Sequence, residues 1–506
     1  MDDKPVDECM LFQPNLLVQY LQKPAAEFTR DDIIRYIEER EIQLLNFRYV
    51  GEDGKLKTIN FMVNGRKDLE LVLSFGERVD GSSIFPYLEP NSSDLYLVPR
   101  YKTAFLNPFS KIPAVDILCS FYGADGQPLE SSPEYILRKA QRRFFNTTGM
   151  QVKMMAELKY YVISNTSREG FDSENGYHCA EPFSENEQLR IEALMLIARC
   201  GGRVRFGHTE TGRFTRDGKM HEQHELEFSP VDPDDASDQL VIAKWILRML
   251  GQKFGVSVTF IPKIALSEPG SGMHVHFLTE QNGRNALVEN GELTSASLKM
   301  IAGILDLSPA LTAFANTNPV SYLRLMPGEK AAQHIGWGFS NRSSLVRVPL
   351  VFNEPKALAA HANQQKENKL PDNSSRQTIE YRGSDGSANP YLFSAALIVA
   401  MLHGFSDSGA LKKAGEYQTD ENWFASGEDQ GLDSSQRLPV SCYESAGALE
   451  NARDLFESDQ IFPKSIINHI LLKLRSFNDK DWCDHFRTSG ENRDFRKLVD
   501  KYLNDM

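Results

Sequence analysis

Chemically capable residues recur at i, i+2 spacing in separate strand-like stretches of this chain, and this repetition constrains the fold more than any other feature. The clearest stretch is Gly270-Ser-Gly-Met-His-Val-His276. Its small residues free the backbone to turn tightly or approach a ligand. On a strand, Met273, Val275 and Phe277 would share one face, and His274 and His276 the other. Two imidazoles about 7 Å apart on a rigid strand can hold a metal ion or a phosphate. For one such pair the ordinary reading is a solvated strand face. Here the pattern returns as Glu157/Lys159, Glu225/Glu227 and Glu380/Arg382, and a fifth stretch adds Arg342 and Arg347. Five sets predict a curved sheet whose concave face holds a polar site. Glu and His donors suit Mg²⁺ or Mn²⁺. Arginine forks suit carboxylate and phosphate. Together they point to phosphoryl-transfer chemistry on an acidic substrate.

The rest of the composition narrows the alternatives. The 506 residues carry 56 Lys+Arg against 69 Asp+Glu, a net charge of −13. That argues against a general nucleic-acid partner or an anionic membrane surface. Six scattered cysteines with no C-x-x-C suit a reducing compartment. The first residues do not read as a signal peptide, and no apolar run reaches membrane-spanning length. The expectation is a cytoplasmic protein.

Along the chain, residues 1–28 read as an arm with a short amphipathic stretch at Leu16–Leu21. Residues 29–125 read as a small α+β domain. A capping box at Thr29-Arg-Asp-Asp32 opens a helix, and Leu44–Val50 and Leu56–Val63 flank an Asp-Gly turn as a hairpin. A helix at 68–75, a loop at Val79–Ile84 and a strand at Asp94–Val98 follow. Residues 130–506 read as the second domain. Pro133 is placed at the start of a helix. Gln151–Ile163 is a strand, with Val152, Met154, Ala156, Leu158, Tyr160 and Val162 on one face. A long helix covers about Asp234–Phe254. Strands are expected at His224–Phe228, Val256–Ile261, Ser344–Val351 and Gln377–Gly383, surface loops at His361–Ser375 and Tyr417–Arg437, and helices over the last 70 residues.

The chain resembles the type I glutamine synthetase family from about residue 30 onward. The likeness rests on Asp80-Gly-Ser-Ser-Ile84, Gly270-Ser-Gly-Met-His-Val-His276, Asn318-Pro…Arg324-Leu-Met-Pro-Gly328, Asn341-Arg-Ser343…Arg347-Val-Pro349 and Glu380-Tyr-Arg382…Ala388-Asn-Pro-Tyr391. The resemblance implies an α+β fold: an N-terminal β-grasp domain and a catalytic half-barrel of curved antiparallel sheet with flanking helices. It implies a homo-oligomer of stacked rings with shared active sites. It also implies an ATP-dependent carboxylate–amine ligase acting through an acyl phosphate, with glutamate and ammonia or a related pair as substrates. By the same resemblance, Glu157, His274 and Glu380 hold one metal, and Glu210 and Glu225 supply two of three ligands for a second. His276 and Arg347 contact ATP phosphates, and Arg342 the transferring phosphoryl group. Gly270, Arg324 and Arg382 line the substrate site. Asp80 and Ser83 form the loop that a neighbouring subunit lends to the ammonium site.

Several positions depart from the family pattern. Lys159 stands where the second metal's third glutamate belongs. Lys330 stands where a flap glutamate accepts the ammonium proton, with Glu329 one residue earlier as a candidate substitute. Pro269 replaces an asparagine, and Ser375 and Thr378 replace basic phosphate contacts. The tyrosine that some members nucleotidylate is missing near Asn422-Trp423-Phe424. Each missing preorganised group costs roughly 3–4 kcal/mol of transition-state stabilisation, so two would cost on the order of 10⁴–10⁶ in rate. Three expectations stand: a ligase acting on glutamate and ammonia or a related acid/amine pair, an impaired homologue that binds a ligand or co-assembles with an active synthetase, or a phosphotransferase of the same fold.

Overall fold

The computed structural model describes residues 12–89, 93–165, 176–326, 334–350, 362–363, 376–422 and 437–504. The N-terminal domain forms around a hairpin. Strands β1 (Leu44–Val50) and β2 (Leu56–Met62) pair antiparallel across the turn read from the sequence. With β3 (Glu77–Asp80), β4 (Asp94–Pro99), β5 (Phe105–Leu106) and β6 (Ala114–Gly123) they make a six-stranded sheet of order β2-β1-β6-β4-β3, β5 pairing with β6. The central β1–β6 pair is parallel. The helix Arg30–Glu39 starts at the capping box formed by Thr29 and Asp32, and its Ile33, Ile34 and Ile37 cover the sheet core. Leu17, Val18 and Leu21, on the short helix Leu16–Leu21, are buried in the same core. This is the β-grasp arrangement.

The larger domain is built on a nine-stranded curved sheet. Its members are β7 (Gln151–Ser164), β8 (Val204–Arg216), β9 (Lys219–Phe228), β10 (Ser257–Thr259), β11 (Met273–Gln281) and β12 (Arg284–Asn285), then, after the small hairpin β13 (Val288–Glu289) and β14 (Glu292–Leu293), β15 (Trp337–Phe339), β16 (Val346–Val348) and β17 (Ile379–Tyr381). The order is β15-β16-β17-β11-β7-β9-β8. Helices Pro133–Thr148, Pro233–Phe254 and Pro390–Ser406 contribute to one continuous core with this sheet. The alternating face of β7 is buried as expected, but Met155 and Tyr161 on its other face are buried too. A central strand with something packed over its polar face loses the period-two signal. The strands expected at Val256–Ile261, Ser344–Val351 and Gln377–Gly383 are each only three residues long. Among the described residues, no single helix is long and apolar enough to cross a membrane.

Buried ion pairs join the two domains. Arg100 Nη1 and Nη2 donate to Asp238 Oδ2 and Oδ1, each at 2.8 Å, and Tyr391 Oη donates to the same carboxylate at 2.6 Å. At the β1–β2 turn, Glu52 Oε1 lies 2.9 Å from Lys473 Nζ and 3.1 Å from His469 Nε2, both on the helix Lys464–Ser476. Burial pushes the Glu52 carboxyl up, but His469 and Lys473 outweigh it and hold the group down to about 2. A carboxylate lowered on folding stabilises the fold above its unfolded value and ceases to do so as pH falls through its folded value. Glu52 therefore contributes about 3 kcal/mol near neutrality, present above about pH 4.5 and lost towards pH 2. Urea unfolding across that window checks this. Glu52→Gln should lose less stability than the wild type between pH 4.5 and 2, whereas parallel curves would contradict it.

Candidate active site

The strand register turns the i, i+2 pairs into rows of neighbours. His274 is opposite Glu157 and His276 is opposite Glu380. Glu157 is opposite Glu227, Lys159 opposite Glu225, and Arg347 opposite Glu380. Side chains directly opposite on one face stand close enough to interact, so residues as distant in sequence as Glu157 and Arg382 converge on one wall.

On that wall, Glu157 is clasped by both imidazoles. His274 Nδ1 lies 2.9 Å from its Oε2, and His276 Nε2 lies 3.0 Å from its Oε1. His274 Nδ1 is also 3.3 Å from Glu380 Oε1. Burial pushes the Glu157 carboxyl up, yet hydrogen bonds from His274 and His276 hold it well below the usual range. Glu380 is fully buried and accepts from Arg347 Nη1 at 2.9 Å and from Arg382 Nη1. Burial again pushes it up, and the charges of Arg382 and His276 bring it far down. Burial lowers His276, but Glu380 and Glu157 raise it on balance. Thr378 Oγ1 is 3.0 Å from His276 Nδ1, so this substituted position now holds the ring of a neighbour. One ligand atom from each of Glu157, His274 and Glu380 lies within 4.8 Å of the others. This set of two carboxylates and an imidazole fits a divalent cation.

Glu210 and Glu225 lie beside Lys159. Its Nζ is 3.1 Å from Glu210 Oε1 and 3.4 Å from Glu225 Oε2. Burial lowers the ammonium's pKa, but Glu225 and Glu210 raise it further, so Lys159 is charged. Burial pushes Glu210 up, and Lys159 then brings it down to about 2. Glu225 is raised by burial and by Glu157 and Glu210, against Lys159. His208, Glu210 and Glu225 also bring ligand atoms within 4.8 Å of one another. However, an ammonium about 4 Å from a divalent ion would cost about 8 kcal/mol at an effective dielectric constant of ~20. With Lys159 in place, this donor set does not fit a second metal.

His208 is a site residue that the sequence reading missed. Its Nε2 lies 3.4 Å from Glu225 Oε2, and its ring sits 4.5 Å from that of His178, which stacks on Tyr177 at 4.1 Å. The available signal was His208/Glu210, one more i, i+2 pair. It was hidden because β8 does not alternate cleanly. The β8–β9 register shifts between Thr209 and Arg213, so Glu210 sits in an irregular stretch. Such bulges re-aim side chains next to functional sites.

Arg324 is buried, and its Nη1 and Nη2 donate to the backbone oxygens of Gly383 (2.9 Å) and Arg382 (3.0 Å). Gly270 and Gly272 lie against it. A Cβ on Gly272 would stand 2.7 Å from Arg324 Nη2 and 2.9 Å from His274 Nε2, so any larger residue there would displace one of these two side chains. Arg342 is exposed in the turn before β16, and among the described residues no hydrogen bond joins it to the Glu157 cluster. Asp80 and Ser83 are exposed in the N-terminal domain. Asp80 accepts from Ser82 N (3.0 Å), Ser82 Oγ (2.7 Å) and Ser83 Oγ (2.7 Å), and these bonds hold its carboxyl at about 2. Among the described residues, no hydrogen bond joins either to the cluster. Glu329, Lys330, Ser375, Trp423 and Phe424, with most of the two expected surface loops, lie outside the described residues.

Comparison with known proteins agrees with this fold. Residues 130–482 match the family model "Glutamine synthetase, catalytic domain", and residues 41–124 match "Glutamine synthetase, beta-Grasp domain". A glutamine synthetase of Methanococcus maripaludis is 26% identical over 471 residues, covering 91% of this chain and 96% of that protein. The cryo-electron microscopy structure of Plasmodium falciparum glutamine synthetase superposes with a TM-score of 0.72 at 20% identity, covering 90% of this chain and 97% of that one. Ligand-free GmaS superposes with a TM-score of 0.70 at 18% identity, covering 92% and 98%. At these identities the two structures speak for the fold alone. The two matched segments span both domains in order, and the chain belongs to the glutamine synthetase family.

Proposed function

We propose that this protein is an ATP-dependent carboxylate–amine ligase that works with one resident divalent metal and a built-in ammonium, Lys159, in the second cation position. The convergence of Glu157, His274, His276, Glu380, Arg347 and Arg382 on one wall carries this reading. A carboxylate resists amine attack because it is anionic and lacks a leaving group. Phosphorylation by ATP supplies that leaving group, and the crowded negative charge must be offset. Glu157, His274 and Glu380 would hold Mg²⁺ or Mn²⁺, which supplies charge stabilisation to phosphate oxygens when bound. Arg347 and Arg382 bring two further positive charges beside that site, His276 a third hydrogen-bonding group, and Arg324 a buried guanidinium next to the Gly270 loop. In this reading Asp80 and Ser83 serve the site of a neighbouring copy, as the family resemblance implies, and the protein acts as a homo-oligomer.

The experiment is product formation from ATP and Mg²⁺ or Mn²⁺ with a panel of acids and amines, L-glutamate with ammonia and methylamine first. Amide product together with ADP is expected. Absence of turnover with every pair would overturn the reading.

One observation favours a second reading. Lys159 replaces two positive charges by one and ties up Glu210 and Glu225. A homologue that binds ATP without turnover, or co-assembles with an active synthetase, would also suit that arrangement. Nucleotide binding without product would select it, and phosphorylated product without amide would select a phosphotransferase.

A further inference from the structure

The Gly270 loop is held from below by the strands that carry the second cation position. Tyr161 Oη, from β7, donates to Pro269 O at 2.8 Å. Gln223 Nε2, from β9, donates to Gly270 O at 3.1 Å and to Ser271 Oγ at 3.2 Å. The backbone N–H of Lys159 donates to Gly272 O at 3.2 Å. The loop's own amides are also committed, Ser271 N–H to Pro262 O (2.8 Å) and Met273 N–H to Ser384 O (3.0 Å). Tyr161 is 0% and Gln223 1% exposed, so neither reaches a substrate. On its other side the loop touches Arg324. A Cβ on Gly270 would fall 2.8 Å from Arg324 Cγ and 2.7 Å from Pro262 O.

We propose that Gln223 and Tyr161 are positioning residues that fix the Gly270 loop against Arg324, so that loop and guanidinium form one preset wall for the carboxylate substrate. This rests on the ligase reading for the substrate's identity, but not for the loop's order. Three of the loop's carbonyls are pinned by donors from two adjacent strands, and a side chain whose supports are locked holds its geometry far better than one on a free loop. The departure at Pro269 fits the same picture. Pro269 has no side-chain amide to offer, but its carbonyl is the group that Tyr161 grips.

The test uses Gln223→Met, which keeps the side-chain length and removes the donor, and Tyr161→Phe, which removes only the hydroxyl. Hydrogen exchange at the amides of Ser271 and Met273 should quicken about tenfold in each, the scale of one net hydrogen bond. Exchange elsewhere and Mn²⁺ affinity should stay as in the wild type. In steady-state assays KM for L-glutamate should rise about tenfold while KM for ATP is unchanged. Unaltered exchange at the loop, exchange quickened throughout the chain, or an equal rise in both KM values would overturn the proposal. If the wild type does not turn over L-glutamate, the ligase reading for that acid falls. The exchange result then decides this proposal alone, in the same two directions.

Discussion

Glu380→Gln is expected to abolish measurable Mn²⁺ binding at the Glu157 cluster and, with it, any ATP-dependent turnover. Glu380 is the buried acid on which four cationic or imidazole side chains converge, namely Arg347, Arg382, His274 and His276. Glutamine keeps the shape and one acceptor oxygen but removes the charge that offsets the two guanidiniums. Removing even a residue that only supports a ligand costs about 10–100-fold in metal affinity, so a direct ligand should cost at least about 100-fold. With the ion lost, its electrostatic stabilisation of the transition state is lost too, worth a factor of about 10²–10³ in rate, on the order of 3–4 kcal/mol. Calorimetric titration of Mn²⁺ measures the first effect, and the initial rate of ADP release measures the second. Wild-type affinity in Glu380→Gln would show that the cluster is an ion-pair network and not a metal site.

The cluster was legible because its strands alternate. His274 and His276 are separated by Val275, and Glu380 and Arg382 by Tyr381, and both spacers are buried in the core. Period two therefore placed the polar members on one wall from the residues alone, and antiparallel pairing then set Glu157 opposite His274. What the alternation could not give was anything set by irregular backbone. His208 and Glu210 are spaced i, i+2, but β8 shifts register between Thr209 and Arg213, so the spacing alone does not say which way they face. The anchoring of Pro269 by Tyr161 and of Gly270 by Gln223 joins distant segments and leaves no local pattern. Arg324 read as a substrate contact by resemblance, but its commitment to the carbonyls of Arg382 and Gly383 follows from chain packing alone. In the N-terminal domain the hairpin and capping box were plain in the sequence. The parallel β1–β6 pairing at its centre was not, because Leu44–Val50 and Ala114–Gly123 lie towards opposite ends of that domain and no local pattern links them.

Lys159→Ala should destabilise the folded protein by about 3–5 kcal/mol, the cost of breaking one side of a buried ion pair. The side chains of Lys159, Glu210 and Glu225 are 17%, 12% and 6% exposed, so water replaces the ammonium's charge only in part. Mn²⁺ should restore much of the stability in this variant, because His208, Glu210 and Glu225 then face no fixed positive charge. An ion at 100 times its dissociation constant adds about 2.7 kcal/mol. Urea unfolding of both proteins with and without Mn²⁺ reads both effects. A fall of less than about 1 kcal/mol, the range of exposed pairs, would mean that the ion pairs at 3.1 and 3.4 Å carry little energy.

Counting manganese ions bound per chain, in the wild type and in Lys159→Glu, tests the built-in cation most directly. The wild type should bind one ion, at Glu157, His274 and Glu380, and Lys159→Glu should bind two. Equal numbers in the two proteins would contradict the assignment of the Lys159 ammonium to the second cation position.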